Sequence, residues 1–312
     1  LTSVIFIKRI NMCGIIGYIG KKNAVTVGLD CLKQLEYRGY DSAGTVFFDN
    51  ISSKIISSKA VGRIYNLAEK IKPDWDSRLA IFHTRWATHG RVTEANAHPH
   101  TDCAGNLWLV HNGIIENYKE LREELLANGH KFKSETDTEV MAHLIEIELR
   151  RNSFEDAVRL ALQKVKGTYG LAVLYSKEPR KLIAARNFSP LLLGIGNGEY
   201  FVASDASAVL KHTKQVIYLD DGEMAVLTPE EHRVYDLGYN VRYKEMQEIE
   251  WSAEEAQKKG FPHFMLKEIT EEPEAIENSL RGRLVAEEGL ARLGGLSFVQ
   301  KEIREAKRIL IS

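Results

Sequence analysis

The 312-residue sequence lacks the features that mark membrane proteins, disulfide-rich secreted proteins and nucleic-acid-binding proteins. No apolar run approaches the roughly 18–20 residues that a membrane-spanning helix needs. The three cysteines, Cys13, Cys31 and Cys103, cannot all pair, which argues against a disulfide framework and fits a reducing compartment. The formal net charge of -1 gives no support for a nucleic-acid or membrane partner. We therefore expect a cytoplasmic protein.

Residues 1–12 also lack the pattern of a secretory signal. Their apolar run, Val4 to Ile7, is short and is followed by Lys8 and Arg9. A secretory signal places its charges before a longer apolar stretch and ends in small residues. We interpret residues 1–12 as an upstream leader that is absent from the mature protein.

The most informative feature that is present is Cys13, which directly follows Met12. If the chain is cut between them, Cys13 carries both a thiol and a free α-amine. The thiol can attack a carbonyl while the amine takes its proton, which is the pairing that covalent catalysis needs. The reference pKa of an α-amine, about 7.7–8.0, suits a general base. On position alone, a small cysteine buried at a strand edge is the commoner case.

Residues 14–236 mix the apolar periodicities of helices and strands, and the chain length suggests roughly two domains. A capping box of Thr136 and Glu139 predicts the start of one helix. Gly196-Asn197-Gly198 predicts a hairpin turn and Asp220-Asp221-Gly222 another tight turn. The other helices are predicted at Lys22–Glu36, Glu116–Ala127 and Phe154–Val165, and strands dominate after Gly167.

The composition changes after about residue 240. Residues 241–260 are polar and charged and are interpreted as a linker. Phe261–Arg283 is expected to be helical, with Pro273 near the first turn of a second helix. Gln300–Arg308 is expected to be a helix that leads into a strand at Ile309–Ile311. Because a strand cannot stand alone, residues 261–312 are interpreted as the incomplete start of another domain.

A polar cluster follows the apolar run Leu79–His83 and is expected at the end of a sheet. Arg85 could bind a carboxylate through two parallel hydrogen bonds. Thr88 and His89 add further short-range donors. A polar loop that only connects two elements explains the same residues equally well.

Two other positions could complete a site. A side-chain amide beside a glycine N–H, as in Asn112-Gly113, can form an oxyanion hole, although Asn-Gly is also common in turns. Asp137 lies in the first turn of a predicted helix, where its negative charge would interact favourably with the helix dipole. It could also bind a substrate ammonium. Together with Arg85, it would hold an α-amino acid at both ends.

The histidines do not predict a metal site. The potential ligands are His89, His98, His100, Cys103 and His111. Structural zinc sites usually contain closely spaced pairs of ligands, and only His98 and His100 form such a pair here. We therefore expect neither a metal nor a cofactor.

Five motifs, in the same order along the chain, resemble one family. They are Met-Cys-Gly-Ile-Ile-Gly-Tyr at 12–18, Leu-Glu-Tyr-Arg-Gly-Tyr-Asp-Ser-Ala-Gly at 35–44, His-Thr-Arg-Trp-Ala-Thr-His-Gly at 83–90, His-Asn-Gly-Ile-Ile-Glu-Asn at 111–117 and Ser-Glu-Thr-Asp-Thr-Glu at 134–139. Over about residues 12–283 the sequence is similar to the glutaminase half of the isomerising glutamine–fructose-6-phosphate aminotransferases, also called glucosamine-6-phosphate synthases.

The resemblance implies an α+β fold of the N-terminal-nucleophile hydrolase type, in which two antiparallel sheets pack face to face between helix layers. It also implies that Cys13 attacks the side-chain amide of L-glutamine, releases ammonia and leaves a glutamyl thioester that water hydrolyses. It assigns Asn112 and Gly113 to the oxyanion hole and His98 and Arg38 to supporting positions, with Arg38 beside the nucleophile. The residues implied to line the glutamine pocket are Arg85, Trp86, Thr88, His89, Gly113 and Asp137.

The resemblance also implies that, in the full-length family protein, two sugar-isomerase domains use the ammonia to convert fructose 6-phosphate to glucosamine 6-phosphate. Residues 13–240 would be the glutaminase domain, His263–Ile269 the hinge and Ala306–Ile311 the first isomerase strand. A homodimer is expected at full length. Two alternatives remain open: the glutaminase domain of an amidophosphoribosyltransferase, and a non-catalytic glutamine-binding module in which a retained leader silences Cys13.

Overall fold

Two antiparallel sheets form the centre of the protein in the computed structural model, which describes residues 13–36, 39–86, 91–249, 261, 264–280, 284–285 and 290–291. The strands are β1 Gly14–Gly20, β2 Ser42–Asp49, β3 Lys54–Val61, β4 Leu79–Arg85, β5 His100–Thr101, β6 Leu107–Ile115, β7 Gly167–Tyr175, β8 Leu182–Asn187, β9 Leu192–Gly196, β10 Glu199–Ala203, β11 Gln215–Tyr218, β12 Glu223–Leu227, β13 His232–Asp236, β14 Gln247–Glu248, β15 Leu284–Val285 and β16 Leu290–Ala291. The larger sheet has the order β14-β11-β9-β10-β1-β4-β2-β3 and the smaller one β13-β12-β8-β7-β6-β5, while β15 and β16 pair separately.

Helices cover the outer face of each sheet. They are α1 Ala24–Lys33, α2 Ile64–Ala68, α3 Tyr118–Ala127, α4 Glu139–Glu148 and α5 Phe154–Lys164, and a further helix, α6 Phe264–Leu280, follows β14 in the chain. Apolar residues of α1 and α2 pack on the larger sheet, and those of α3, α4 and α5 pack on the smaller one. A third apolar cluster joins the two sheets face to face. The predicted four-layer arrangement of helix, sheet, sheet and helix is therefore confirmed.

The alternation of side chains along three strands determines which residues face the space between the sheets. On β1, Ile15 and Ile19 belong to the cluster between the sheets. Ile81 on β4 and Val110 on β6 belong to the same cluster. The same alternation directs residues 13, 83, 85 and 112 toward the space between the sheets, where the strands end in polar side chains.

Both predicted tight turns form, and the first of them joins two strands of one sheet. The turn at 196–198 joins the paired strands β9 and β10, and Gly198 has φ +69°, as the hairpin prediction requires. The turn at 220–222 also forms, with Gly222 at φ +77°, but it carries the chain from β11 in the larger sheet to β12 in the smaller one.

Two helix-start predictions are wrong. Helix α4 begins at Glu139 after Thr138, whose side chain makes no capping bond, so Thr136 and Glu139 do not form a capping box. The Glu139 carboxylate instead accepts the backbone N–H groups of Lys133 and Ser134, each at 2.7 Å. Helix α6 runs continuously through Pro273 rather than restarting there.

The helix predicted at Gln300–Arg308 and the strand at Ile309–Ile311 lie outside the described residues. Among the residues that the structure describes, no helix combines the length and the apolar character needed to cross a bilayer.

Candidate active site

Cys13 lies at the beginning of β1, partly buried against the backbone that leaves β4. The backbone N–H of Trp86 donates to Cys13 Sγ at 3.2 Å, and the Trp86 carbonyl lies 3.4 Å from the same sulfur. β1 and β4 are paired so that Gly14 is opposite Thr84, which fixes the thiol beside the end of β4. The sheet thus joins two segments that are about 70 residues apart in the chain.

Burial raises the pKa of the Cys13 thiol above its ordinary value of 9.0. The hydrogen bond from Trp86 and the positive charge of Arg85 act in the opposite direction, and the carboxylate of Asp41 adds to the increase. Burial therefore outweighs the nearby donors. A thiol in this environment needs a base to become a nucleophile at neutral pH.

The Asn112 carboxamide contacts the nucleophile residue directly. Its Nδ2 donates to the Cys13 carbonyl oxygen at 2.9 Å, and its Oδ1 lies 2.9 Å from His83 Nε2. Since a carbonyl oxygen can only accept, the amide orientation is determined by the contact with Cys13. Among the described residues, Asn112 Nδ2 has this one acceptor, so its second hydrogen can bind a substrate oxygen.

The same contact fixes the tautomer of His83. Its Nε2 faces two acceptors, Asn112 Oδ1 and the His111 carbonyl oxygen at 3.2 Å, so Nε2 must carry the proton. Burial lowers the pKa of His83 to about 3, more than the hydrogen bond to Asn112 raises it. His83 is therefore a neutral donor that orients the Asn112 amide.

Gly113 occupies a backbone conformation that requires glycine. Its φ is +135°, and a Cβ at this position would lie 2.1 Å from the Thr168 carbonyl oxygen on β7. This close approach holds β6 and β7 together where Asn112 faces the other sheet.

Behind Asn112, hydrogen bonds link two more histidines to the start of α4. His111 Nε2 donates to the Thr168 carbonyl oxygen at 3.2 Å, so its Nδ1 accepts from the Thr138 hydroxyl at 2.9 Å. That hydroxyl then accepts from His98 Nε2 at 3.0 Å. The His98 ring also lies 4.1 Å from that of His83 between centroids. His98 thus supports the site from behind and touches neither Cys13 nor Asn112 through a hydrogen bond in the part of the chain described.

Arg85 and Asp137 provide opposite charges near Cys13. Both residues are 4% exposed. Asp137 Oδ2 accepts the Ile115 N–H at 2.8 Å, and Arg85 Nη1 donates to the Arg91 carbonyl oxygen at 3.3 Å. Burial lowers the pKa of Arg85, while the negative charges of Cys13 and Asp137 act to raise it. A carboxylate with about four acceptor positions and a guanidinium with five N–H donors can each bind a further partner.

The structure brings five of the predicted residues into one region: Cys13, Arg85, Trp86, Asn112 and Asp137, with Gly113 and His98 adjoining them. Arg38, Thr88 and His89 lie outside the described residues. The sequence does not by itself indicate the positioning roles of His83 and Thr138. The alternation along β4 could have identified His83, because it shares a face with Ile81 and Arg85.

The histidines first considered as metal ligands have other partners. His98 and His111 share the Thr138 hydroxyl, and His100 Nε2 lies 3.1 Å from the Thr136 hydroxyl. Cys103 lies apart from them, beside His130 and His143. His89 lies outside the described residues.

Comparison with known proteins identifies the domain. A family model described as a glutamine amidotransferase domain matches residues 83–211, which include Arg85, Asn112 and Asp137. The chain contains a glutamine amidotransferase domain. Curated relatives named glutamine–fructose-6-phosphate aminotransferase [isomerizing] include those of Chlorobaculum tepidum, 47% identical over 307 residues, and Thermococcus kodakarensis, 53% identical over 297 residues.

These alignments cover 96% and 92% of the chain but only 50% and 49% of the two relatives. The chain therefore spans about half the length of the curated relatives it matches. The resemblance inferred from its five motifs is confirmed.

Solved structures agree with the fold. A glutamine phosphoribosylpyrophosphate amidotransferase from B. subtilis, in complex with ADP and GMP, matches with a TM-score of 0.63 at 28% identity, over 73% of this chain and 50% of that chain. A structure described as the allosteric regulatory enzyme of purine biosynthesis matches with a TM-score of 0.64 at 27% identity and the same coverage. The glutamine amidotransferase domain thus has the α+β N-terminal-nucleophile fold that the motifs implied.

Proposed function

We propose that this glutamine amidotransferase domain hydrolyses L-glutamine to glutamate and ammonia, with Cys13 as the nucleophile. One observation carries the proposal: the Cys13 thiol is held by the Trp86 amide beside the Arg85 charge, while the Asn112 amide is bound to the Cys13 backbone. The site thus places a nucleophile beside a hydrogen-bond donor of fixed orientation, as acyl transfer requires.

In the proposed reaction, Cys13 Sγ attacks the side-chain carbonyl carbon of glutamine. The oxygen gains negative charge, which the second Nδ2 hydrogen of Asn112 and the Gly113 N–H stabilise. The carbon–nitrogen bond then breaks, and the nitrogen leaves as ammonia after taking up the thiol proton. Water attacks the glutamyl thioester, releases glutamate and returns the proton to sulfur.

The base in this proposal is the α-amine of Cys13, freed by removal of residues 1–12. Its reference pKa of about 7.7–8.0 suits proton transfer near neutral pH. His83 is unsuited to this task because its pKa is about 3 and its Nε2 proton is directed at two carbonyl-type oxygens. Without the cleavage, the nitrogen is an amide and cannot accept the proton.

For substrate binding, we assign the α-carboxylate of glutamine to Arg85 and its α-ammonium to Asp137. Both charges are almost fully buried, which strengthens their interaction with a ligand that displaces water. Trp86 would line the pocket, as would Thr88 and His89 by the family resemblance. Arg38 would lie beside the nucleophile by the same resemblance.

We further propose that the full-length protein passes the ammonia to sugar-isomerase domains that convert fructose 6-phosphate to glucosamine 6-phosphate. The names of the curated relatives support this substrate. Residues 13–240 would then be the glutaminase domain, 241–260 a linker and 261–312 the start of the isomerase part. A cytoplasmic homodimer is the corresponding assembly.

The first experiment combines intact mass and glutamate release. We expect the expressed chain to begin at Cys13 and to release glutamate from glutamine, and Cys13→Ala to release at least about 10³-fold less because no nucleophile remains. Glutamine hydrolysis by Cys13→Ala at the wild-type rate would refute the proposal. Leu1 on every molecule, with glutamine binding but no hydrolysis, would instead favour a non-catalytic binding module. Ammonia transfer to phosphoribosylpyrophosphate rather than fructose 6-phosphate by the full-length protein would favour the amidophosphoribosyltransferase alternative.

A further inference from the structure

A second cluster of chemically capable side chains lies away from Cys13, where three segments meet. Cys103 lies in the turn between β5 and β6, His130 follows α3, and His143 and Glu146 lie one turn apart on α4. Among the described residues this is the one group of histidine, cysteine and acidic side chains whose ligand atoms converge, all lying within 4.8 Å of one another. The two imidazoles are buried, Glu146 is partly buried and Cys103 is exposed at the outer edge.

The nitrogen–nitrogen and nitrogen–sulfur distances resemble the edges of a tetrahedron around one ion. Bonds of about 2.0–2.1 Å to nitrogen and about 2.3 Å to sulfur give edges of about 3.3–3.4 Å between nitrogens and about 3.5–3.6 Å between nitrogen and sulfur. Here the Nδ1 atoms of His130 and His143 are 3.3 Å apart, and each lies 3.6 Å from Cys103 Sγ. Glu146 Oε2 lies 2.9 and 3.1 Å from the same nitrogens, closer than a tetrahedral edge of about 3.3 Å, so the carboxylate would shift slightly outward on binding the ion.

We propose that Cys103, His130, His143 and Glu146 bind one Zn²⁺ ion. One thiolate, two imidazoles and one carboxylate form a four-coordinate set with mixed soft and borderline donors, which suits zinc better than calcium or magnesium. Because the protein supplies all four ligands, the site is structural rather than catalytic. The exposed edge at Cys103 gives the ion a path from solvent.

The outer contacts of the cluster also suit a bound cation. Binding through Nδ1 leaves the proton of His143 on Nε2, which is buried and has no hydrogen-bond partner among the described residues. The carboxylate Oε1 of Glu139 lies 3.7 Å from this nitrogen. A carboxylate behind a ligating histidine typically orients the ring and strengthens its bond to the metal. On the other side, the N–H of Cys103 donates to Glu146 Oε2 at 3.3 Å.

A cluster held by protons alone explains these contacts less completely. Each Nδ1 has a single in-plane position, so one N–H can satisfy one acceptor. Yet Nδ1 of His130 faces a sulfur, a second Nδ1 and a carboxylate oxygen at once. A central cation satisfies all four groups together, whereas protons leave some of these close contacts unsatisfied.

The ion would fasten the turn between β5 and β6 and the segment after α3 to the body of α4. The N-terminal end of α4 carries Thr138, which binds His98 and His111, and Asp137 directly precedes it. The zinc site would therefore stabilise the helix that supports one side of the candidate active site. This inference is independent of the proposed glutaminase activity.

The test uses the purified chain, stripped of metal with EDTA and then titrated with ZnCl₂ or CoCl₂. We expect one ion per chain and, with cobalt, a sulfur-to-cobalt charge-transfer band together with the intense visible bands of four-coordinate cobalt. Cys103→Ala should lose the charge-transfer band and bind zinc at least about 100-fold more weakly. Cys13→Ala is the matched cysteine control and should keep the wild-type spectrum.

Thermal unfolding of the wild-type chain provides a second readout, and this part of the test does not require a variant to fold. Zinc should raise the unfolding midpoint of the EDTA-treated wild-type chain, and renewed EDTA should reverse the increase. His232→Ala, which removes a histidine outside the cluster, should respond as the wild type does, whereas His143→Ala should not respond. No stoichiometric binding, or a cobalt–sulfur band that persists in Cys103→Ala, would leave a proton-linked cluster as the explanation and overturn the proposal.

Glu139→Gln tests the outer contact separately. It should keep one zinc ion per chain but weaken its affinity about 10–100-fold, because the carboxylate that faces His143 is lost. An unchanged affinity would exclude Glu139 from the site.

Discussion

Replacing His83 with phenylalanine should disturb the orientation of the Asn112 amide while leaving the other active-site residues in place. The Nε2 proton of His83 is the donor that faces both Asn112 Oδ1 and the His111 carbonyl oxygen, and the residue is fully buried. His83→Phe keeps an aromatic ring but removes this donor. The Asn112 amide then loses the contact that fixes its oxygen away from Cys13.

Two acceptors lose their donor in this variant, the buried carbonyl oxygen of His111 and the partly buried Oδ1 of Asn112. A fully buried group left unsatisfied costs about 1–3 kcal/mol and a partly buried one costs less, so the free energy of unfolding should fall by about 1–4 kcal/mol. Removing an oxyanion donor outright typically lowers the rate by about 10²–10³-fold. Because Asn112 is still present but less well aimed, we expect kcat for glutamine hydrolysis to fall by about 10–100-fold. KM should change little, since Arg85 and Asp137 are intact.

The assay is glutamate release at saturating and limiting glutamine, with urea unfolding measured in parallel. His83→Gln is the matched control: its side-chain amide can still donate, so most of kcat should return. In an Asn112→Ala background, His83→Phe should lower kcat very little further, because His83 acts on catalysis through Asn112. Wild-type kcat in a destabilised His83→Phe variant would refute the positioning role, as would full additivity of the two losses.

Three further predictions follow from individual contacts. Gly113→Ala should lower the free energy of unfolding by about 2–4 kcal/mol in urea, because its φ is +135° and the new Cβ meets the Thr168 carbonyl oxygen; wild-type stability would contradict this. Asp137→Ala should weaken glutamine binding about 10–100-fold more than binding of an analogue without the α-amine, by calorimetry, and equal losses would remove its ammonium-binding role. Burial lowers the pKa of Lys59 from 10.5 to about 8, so Lys59→Met should be more stable than wild type by up to about 3 kcal/mol below pH 8. That difference should shrink as the pH rises toward 10.5, since both states of the wild type then lose the proton, and a pH-independent difference would count against the buried charge.

The fold could be predicted from the sequence where local chemistry determines it. Alternating apolar residues predicted most strands, and Gly198, with its positive φ, marks a hairpin that the sequence also indicated. Gly222 has a similar conformation, yet the strands around it belong to different sheets. A turn reverses the chain, but the partner of the next strand depends on which apolar face remains to be covered, which is a property of the whole core.

The start of α4 illustrates a second limit. Thr136 and Glu139 have the spacing of a capping box. However, the Thr136 hydroxyl contacts His100 Nε2, and the Glu139 carboxylate accepts the backbone N–H groups of Lys133 and Ser134. His100 comes from another segment, so no window of sequence around α4 contains it, whereas Lys133 and Ser134 lie only five to six residues before Glu139. The proposed zinc site is not predicted by the sequence for a related reason: its four residues span positions 103–146 and lack the paired spacing of common zinc motifs.

The histidines near Cys13 also explain why an α-amine is needed for the proposed catalysis. Burial lowers the pKa of His83 to about 3, and burial together with neighbouring positive charges lowers the pKa of His98 and His100 well below 6.5. The rings of His83 and His98 lie 4.1 Å apart, so charging one opposes charging the other. These side chains therefore remain neutral at neutral pH. They can orient neighbouring groups through hydrogen bonds, but they are poor bases for proton transfer. A thiol with a raised pKa needs a base, and in the proposed catalysis the α-amine of Cys13 would be that base, so the cut that exposes the amine would also activate the nucleophile.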